Sequence, residues 1–123
     1  MKKALFFLLV AFASVTVRAQ LKNTKWKGTI QTDNTIDVVF NYKSDTLEVS
    51  SAGDGSNIET MTYTVKDGVM SLRKVYGQSS CDATSTGKYK FEIKEGVLFL
   101  TQVSDVCNDR TSALSNSKWT KIN

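Results

Sequence analysis

The chain of 123 residues contains no histidine and no proline. Without histidine, a Ser-His-Asp triad, a Cys-His nucleophile and a Cys/His zinc site are all excluded. The acidic residues are scattered, and no spacing demands the opposed carboxylate pair that glycosidic chemistry uses. The composition therefore favours a protein that is not an enzyme and that carries no cofactor or metal ion.

Long hydrophobic runs are also scarce, with a single one at the N terminus. Lys2 and Lys3 precede an apolar run over residues 4–17, which is followed by the small residue Ala19. This order is typical of a secretory signal peptide, and the run is too short to span a hydrocarbon core of roughly 30 Å. We predict a bacterial signal peptide over residues 1–19, cleavage after Ala19 and export to the periplasm or the medium. Residues 20–123 would then form one small domain.

Once this segment is removed, the chain has almost no net charge. The net charge of +4 includes Lys2, Lys3 and Arg18, and thirteen basic residues remain against twelve acidic ones. No run of Lys or Arg longer than two survives, so the sequence lacks the basic footprint of a nucleic-acid-binding protein.

Helical patterns are almost absent from residues 20–123, and alternation of apolar with polar residues predominates. Turn-forming Gly, Asn, Asp and Ser interrupt this alternation every 10 to 14 residues. Eight segments follow the strand pattern, here called A to H: KWKGTIQT, TIDVVFNY, DTLEVS, ETMTYTV, GVMSLRKVY, GKYKFEI, GVLFLTQV and SKWTKI.

The connections between these segments are of two kinds. VKDGV and IKEGV predict tight hairpins, since Gly accepts the positive φ that such turns need. The C–D, E–F and G–H connections are longer, so an up-and-down chain places them at the opposite end from the tight turns. Short connections favour pairing between neighbours, which points to a closed eight-stranded antiparallel β-barrel over a two-sheet sandwich.

The two cysteines fit this arrangement. Cys81 lies in the E–F connection and Cys107 in the G–H connection, at the same predicted end. In an exported chain, two cysteines favour a disulfide over a free nucleophile or a metal ligand.

Three stretches, LKNTKWKGTI, LFLTQVSDVCNDR and SKWTKI, resemble small secreted lipocalin-like proteins of bacteria, which belong to the calycin group of barrels. The resemblance covers most of residues 21–122. It matches Trp26 to the family's Trp under the barrel, with Thr24 where the family has Gly. It implies that Arg110 is the family's Arg near that Trp, that Trp26, Arg110 and Trp119 have structural roles, and that the long loops surround an open mouth.

Alternation points one set of side chains into the barrel. They would either line a site for a small apolar ligand or simply fill the core. We therefore predict a secreted binding module, with a protein-interaction, envelope or inhibitor module acting through the disulfide-tied loops as the alternative. The predicted interior residues are Phe40, Met61, Tyr63, Leu72, Tyr89 and Phe91.

Overall fold

A computed structural model describes residues 21–31 and 33–123 of the protein. The predicted signal peptide, residues 1–19, lies outside the described residues. The strands are β1 (Thr24–Gln31), β2 (Thr35–Tyr42), β3 (Thr46–Ser51), β4 (Asn57–Lys66), β5 (Val69–Gly77), β6 (Gly87–Lys94), β7 (Val97–Ser104) and β8 (Ser117–Lys121). A helix, α1 (Asn108–Leu114), lies between β7 and β8.

The strands form a closed antiparallel barrel in the order of the chain. Each strand pairs with the next, and β8 returns to β1 through Trp26↔Lys121 and Lys27↔Thr120. Backbone hydrogen bonds extend this seam, with the Lys25 N–H donating to Asn123 O at 3.0 Å and the Ile122 N–H donating to Lys25 O at 2.9 Å. The predicted all-β, up-and-down barrel is confirmed.

The tight end of the barrel is built from the turns that the sequence predicts. Two residues connect β4 to β5, and two connect β6 to β7. Asp67 and Gly68 have φ of 53° and 76°, and Glu95 and Gly96 have φ of 51° and 75°. Two consecutive positive φ values define the type I′ turn, whose twist matches that of the flanking strands. The β2–β3 connection, residues 43–45, lies at the same end.

The opposite end, here called the loop end, carries the remaining connections. The longest, residues 105–116, contains α1, which the sequence analysis missed. The helix has only seven residues and no side-chain cap, so its periodic signal is too short to separate it from a loop. In the described part of the chain, no helix is long and apolar enough to cross a bilayer.

The interior is densely packed towards the tight end. Trp26 is buried, and its indole N–H donates to Thr24 Oγ1 at 2.8 Å. Tyr42 and Tyr63 meet edge to face with their ring centroids 5.2 Å apart. Trp119 reaches across from β8 and stacks on Phe40 of β2 at 3.8 Å. These aromatic side chains plug the barrel from the tight end to its middle.

Gly28 makes room for the stacked pair, which leads to a prediction. A Cβ at position 28 would lie 2.4 Å from Cε3 of Trp119, inside the contact distance. We expect Gly28→Ala to lower the free energy of unfolding by about 1 to 3 kcal/mol through overpacking, measured by urea denaturation. Gly53→Ala is the matched control, because the nearest atom to its Cβ is 3.8 Å away. Equal stability of the two variants would contradict the packing described here.

Candidate functional site

A cavity of about 450 Å³ opens between the connections at the loop end. Its walls come from the barrel interior below and from α1 and the β5–β6 connection above. The apolar lining residues are Ile30, Ile36, Phe40, Val49, Ile58, Met61, Ala113 and Leu114. The polar lining residues are Gln31, Asp33, Glu59, Gln78, Ser79, Asp109 and Arg110. Its volume falls in the usual range for small-molecule sites, about 300 to 1,000 Å³.

The six predicted interior residues are all buried, but they do not form one group. Phe40 and Met61 line the cavity, and the other four lie elsewhere in the barrel. Among these four, Tyr63 donates its hydroxyl hydrogen bond to Lys43 O at the tight end, and Tyr89 donates to Asp105 at the loop end. Ile30 and Ile36 share the inward alternation of Trp26 and Phe40, but the predicted interior residues did not include them. The leucine of α1 adds a wall that strand alternation cannot identify.

A buried ion pair holds α1 against the barrel. Arg110 Nε donates to Asp105 Oδ2 at 2.6 Å, and Nη2 donates to Asp105 Oδ1 at 2.9 Å. The side chains are 3 % and 0 % exposed, respectively. The pair packs against the backbone of Gly87, where a Cβ would lie 2.3 Å from Asp105 Oδ2. Strand β6 therefore starts with the one residue type that lets this charged pair sit against it.

Asp105 is stabilised in its ionised form. Burial opposes its charge, but hydrogen bonds from Arg110, from the Tyr89 hydroxyl at 2.6 Å and from the Cys107 N–H at 2.9 Å together lower its pKa. Burial, followed by the hydrogen bond to Asp105, raises the pKa of Tyr89. The cluster therefore carries an ionised Asp–Arg pair and a neutral tyrosine, which is the arrangement that a buried charge requires.

The disulfide between Cys81 and Cys107 is present, as predicted, with the Cα atoms 5.4 Å apart. It joins the β5–β6 connection to the residue that caps α1. Asp109 makes a second link between the same segments, because its Oδ2 accepts from the Ser80 N–H at 2.7 Å and from the Ser80 hydroxyl at 2.9 Å. These hydrogen bonds lower the pKa of Asp109. Both links fix the upper wall of the cavity.

A second charged cluster lies beside the β5–β6 connection. Glu59 is 7 % exposed, accepts a hydrogen bond from the Ser79 hydroxyl and lies 3.9 Å from Lys74 Nζ. Its Oε1 and the Nη1 of Arg110 are buried without a hydrogen-bond partner among the described residues. Both side chains line the cavity, whose wall therefore combines apolar side chains with charged groups.

The contact between Trp26 and Arg110 that the resemblance implies is absent from the described structure. Trp26 lies near the start of β1 at the tight end, whereas Arg110 lies at the loop end with Asp105 and the carbonyl of Ser85. Arg110 is neither a solvated loop charge nor a partner of Trp119, whose ring stacks on Phe40 and whose N–H donates to Ser117. Topology separates the two residues, since β1 starts at the end opposite to α1.

Fold and site together define a small, disulfide-tied β-barrel with a cavity at one end. No protein-family model matches the chain, and comparison with the curated proteins and with the solved structures finds no match. In the described part of the chain, no group of three His, Cys, Asp or Glu side chains is placed to hold a metal ion.

The disulfide gives a second prediction. It spans 26 residues, so its removal in Cys81→Ala/Cys107→Ala should cost about 3 to 4 kcal/mol of unfolding free energy through the added entropy of the unfolded chain. Urea denaturation of this variant and of the oxidised protein measures the difference. The folded variant should keep its far-ultraviolet circular dichroism, because the barrel core lies outside the tied connections. A loss below about 1 kcal/mol would contradict a rim held by the bridge.

Asp105 gives a third prediction, which depends on pH. Asp105→Asn leaves Arg110 buried without a counter-charge and should cost about 3 to 5 kcal/mol at neutral pH. A lowered pKa means that the stabilisation is present above the unfolded value of about 3.9 and is lost as pH falls through the folded value. The difference in unfolding free energy between the two proteins should therefore shrink below about pH 4.

The control for this measurement is Asp82→Asn. The hydrogen bonds of Asp82 to Thr84 lower its pKa too, but Asp82 is exposed on the surface. We expect its substitution to change stability by less than about 0.5 kcal/mol. A constant difference between Asp105→Asn and the unaltered protein across the acid range would contradict the ion-pair account.

Proposed function

We propose that this protein is a lipocalin-like, non-enzymatic binding module that holds a small ligand in the cavity at its loop end. The observation that carries the proposal is the cavity itself. The barrel is plugged from the tight end to its middle, yet about 450 Å³ remains at the loop end, with walls from the barrel interior and from α1. The disulfide and the Asp105–Arg110 pair hold α1 and the β5–β6 connection, which form the upper wall, in place.

The lining describes the chemistry of the ligand. Isoleucine, valine, phenylalanine and methionine side chains offer contacts to an apolar body. The charges of Arg110 and Asp105 balance, and those of Lys74 and Glu59 do so as well, which leaves Asp33 and Asp109 as the net charge around the cavity. Two uncompensated carboxylates repel an acidic ligand, so a neutral molecule fits this cavity better than a carboxylate.

Export to the periplasm or the medium belongs to the same proposal. The disulfide supports it, since such bonds persist in oxidising, extracellular-type environments. The charged and apolar pattern of residues 1–19 is the second support. A small ligand would then meet the protein outside the cytoplasm.

Protein interaction through the tied loops is the second candidate. Four apolar side chains are largely exposed where β5 and β7 run into the disulfide-tied connections. Val106, next to Cys107, is 83 % exposed, and the other three are Val75, Tyr76 and Val103. Exposed apolar side chains are typical of contact surfaces where they form one contiguous patch. This candidate requires the loops but not the cavity, so the experiment below separates it from ligand binding.

The fourth prediction tests the cavity with the neutral dye Nile red, whose fluorescence rises in apolar surroundings. We expect saturable binding to the unaltered protein and loss of most of the signal in Ala113→Phe, because residue 113 lines the cavity and the larger ring occupies it. Ser112→Phe, on the exposed side of the same helix, is the matched control and should bind as before. Equal signals from the two variants, or a flat titration of the unaltered protein, would rule out the ligand site.

A further inference from the structure

Lysine is concentrated on one side of the barrel. The four neighbouring strands β6, β7, β8 and β1 contain seven lysines and a single acidic residue, Glu92. All seven are exposed. We call this surface the lysine face. Its lysines are Lys25, Lys27, Lys88, Lys90, Lys94 and Lys118, with Lys121, the register partner of Trp26, at its tight-end edge.

The strand register makes the lysine face continuous. One row crosses all four strands from Lys27 through Thr120 and Val97 to Lys94. The next row runs from Lys118 through Phe99 to Glu92. Neighbouring strands are about 4.8 Å apart, so the outer charges of a row are separated by roughly 14 Å. Flexible lysine side chains cover that width.

Neighbouring acidic residues cancel only a small part of the charge on this side. Glu92 pairs with Lys94 at 3.4 Å, and Glu95 borders the face in the β6–β7 turn. The other ten acidic residues of the sequence lie outside these four strands and that turn. The near-neutral balance of residues 20–123 thus results from an uneven distribution, in which basic charge is gathered on one half of the barrel.

An apolar side chain stands in the middle of the lysine face. Phe99 is 39 % exposed, on the one strand of the four that carries no charge. Its cross-strand neighbours are Glu92 on one side and Lys118 on the other. An exposed phenylalanine on a basic surface resembles the pattern of surface-bound amphipathic segments, in which apolar rings enter the boundary between headgroups and acyl chains.

We propose that the lysine face docks the protein on the surface of an anionic lipid bilayer. All seven cations are lysines, which act as hydrated point charges and suit diffuse attraction to a charged plane. Single-stranded nucleic acid is bound in a positively charged groove with several stacking aromatic side chains, and arginine forks recognise phosphate in bidentate geometry. The lysine face is convex, holds no arginine and exposes one aromatic ring. A bilayer therefore fits it better than a strand-like polyanion.

The fifth prediction uses sedimentation with lipid vesicles. The protein is produced from the full chain, and its first residue is determined by mass spectrometry, so that all variants share one N terminus. We expect binding to vesicles of phosphatidylglycerol and phosphatidylcholine in equal amounts, and little binding to phosphatidylcholine alone. Raising the salt from about 0.1 M to about 1 M shortens the Debye length from about 10 Å to about 3 Å and should release the protein.

Matched variants locate the surface. Lys90→Gln/Lys118→Gln should weaken vesicle binding by about 25-fold, since each lysine near an anionic bilayer contributes about fivefold. Lys43→Gln/Lys66→Gln makes the same change in net charge outside the lysine face and should leave binding nearly unchanged. Phe99→Ser should weaken binding to vesicles while leaving any binding to heparin, a soluble polyanion, as it was. Thermal unfolding of each variant confirms that the barrel is intact.

Three results would overturn the proposal. Binding that is equal on neutral and anionic vesicles would show that charge is not the cause. Equal losses of vesicle binding in the two double-lysine variants would show that binding depends on the net charge of the protein and not on the lysine face. Capture by heparin without capture by anionic vesicles would assign the face to a soluble polyanion.

Discussion

The buried ion pair between Asp105 and Arg110 organises the loop end of the barrel. One carboxylate accepts hydrogen bonds from the tyrosine of β6, from the guanidinium of α1 and from the backbone of Cys107. Burying two charges costs several kcal/mol each, and the bidentate geometry and the additional donors offset that cost. Because the pair joins a strand, a helix and the disulfide-bonded segment, the position of α1 over the barrel follows from it.

The two ends of the barrel are stabilised in different ways. At the tight end, two-residue turns and a plug of aromatic side chains leave little free volume. At the loop end, the connections are longer. They are held in place by cross-links between segments as well as by hydrogen bonds within each connection. The disulfide, the Asp109–Ser80 hydrogen bonds and the ion pair all converge on α1 and the β5–β6 connection. The cavity lies below these cross-links, which hold its upper wall in place.

Much of the barrel was predictable because its signals are local. Alternation of apolar and polar residues predicts which side chains of a strand point inward. The adjacent residues Asp67-Gly68 and Glu95-Gly96 predict two tight turns. Counting the strands then places Cys81 and Cys107 at the same end of the barrel. The candidate site was harder to predict from the sequence, because its polar contacts depend on how the loops are arranged in the folded protein. Arg110, Ala113 and Leu114 have the spacing of one helix face, but seven residues give too few repeats to decide. Nothing in the spacing of Asp105 and Arg110 shows that both are buried.

The sequence analysis missed the lysine face because of the same alternation of residues that predicts the strands. A search for runs of basic residues assumes that neighbours in the chain are neighbours on the surface. In a strand, every second residue points inward, so Lys88 and Lys90 flank the buried Tyr89. Lysines from distant strands then meet only through the register. Charge clustering in an all-β protein therefore has to be assessed across strands.

The closing seam has a consequence for how this chain reaches its native state. Hairpins such as β4–β5 join residues close in sequence and form within microseconds, whereas the β1–β8 pair joins the two ends of the domain. Trp119, which completes the stack on Phe40, belongs to β8. Before β8 has paired, the chain can form at most an open sheet of seven strands, with the edges of β1 and β7 unpaired. Only the pairing of β8 with both of these edges converts that sheet into a barrel.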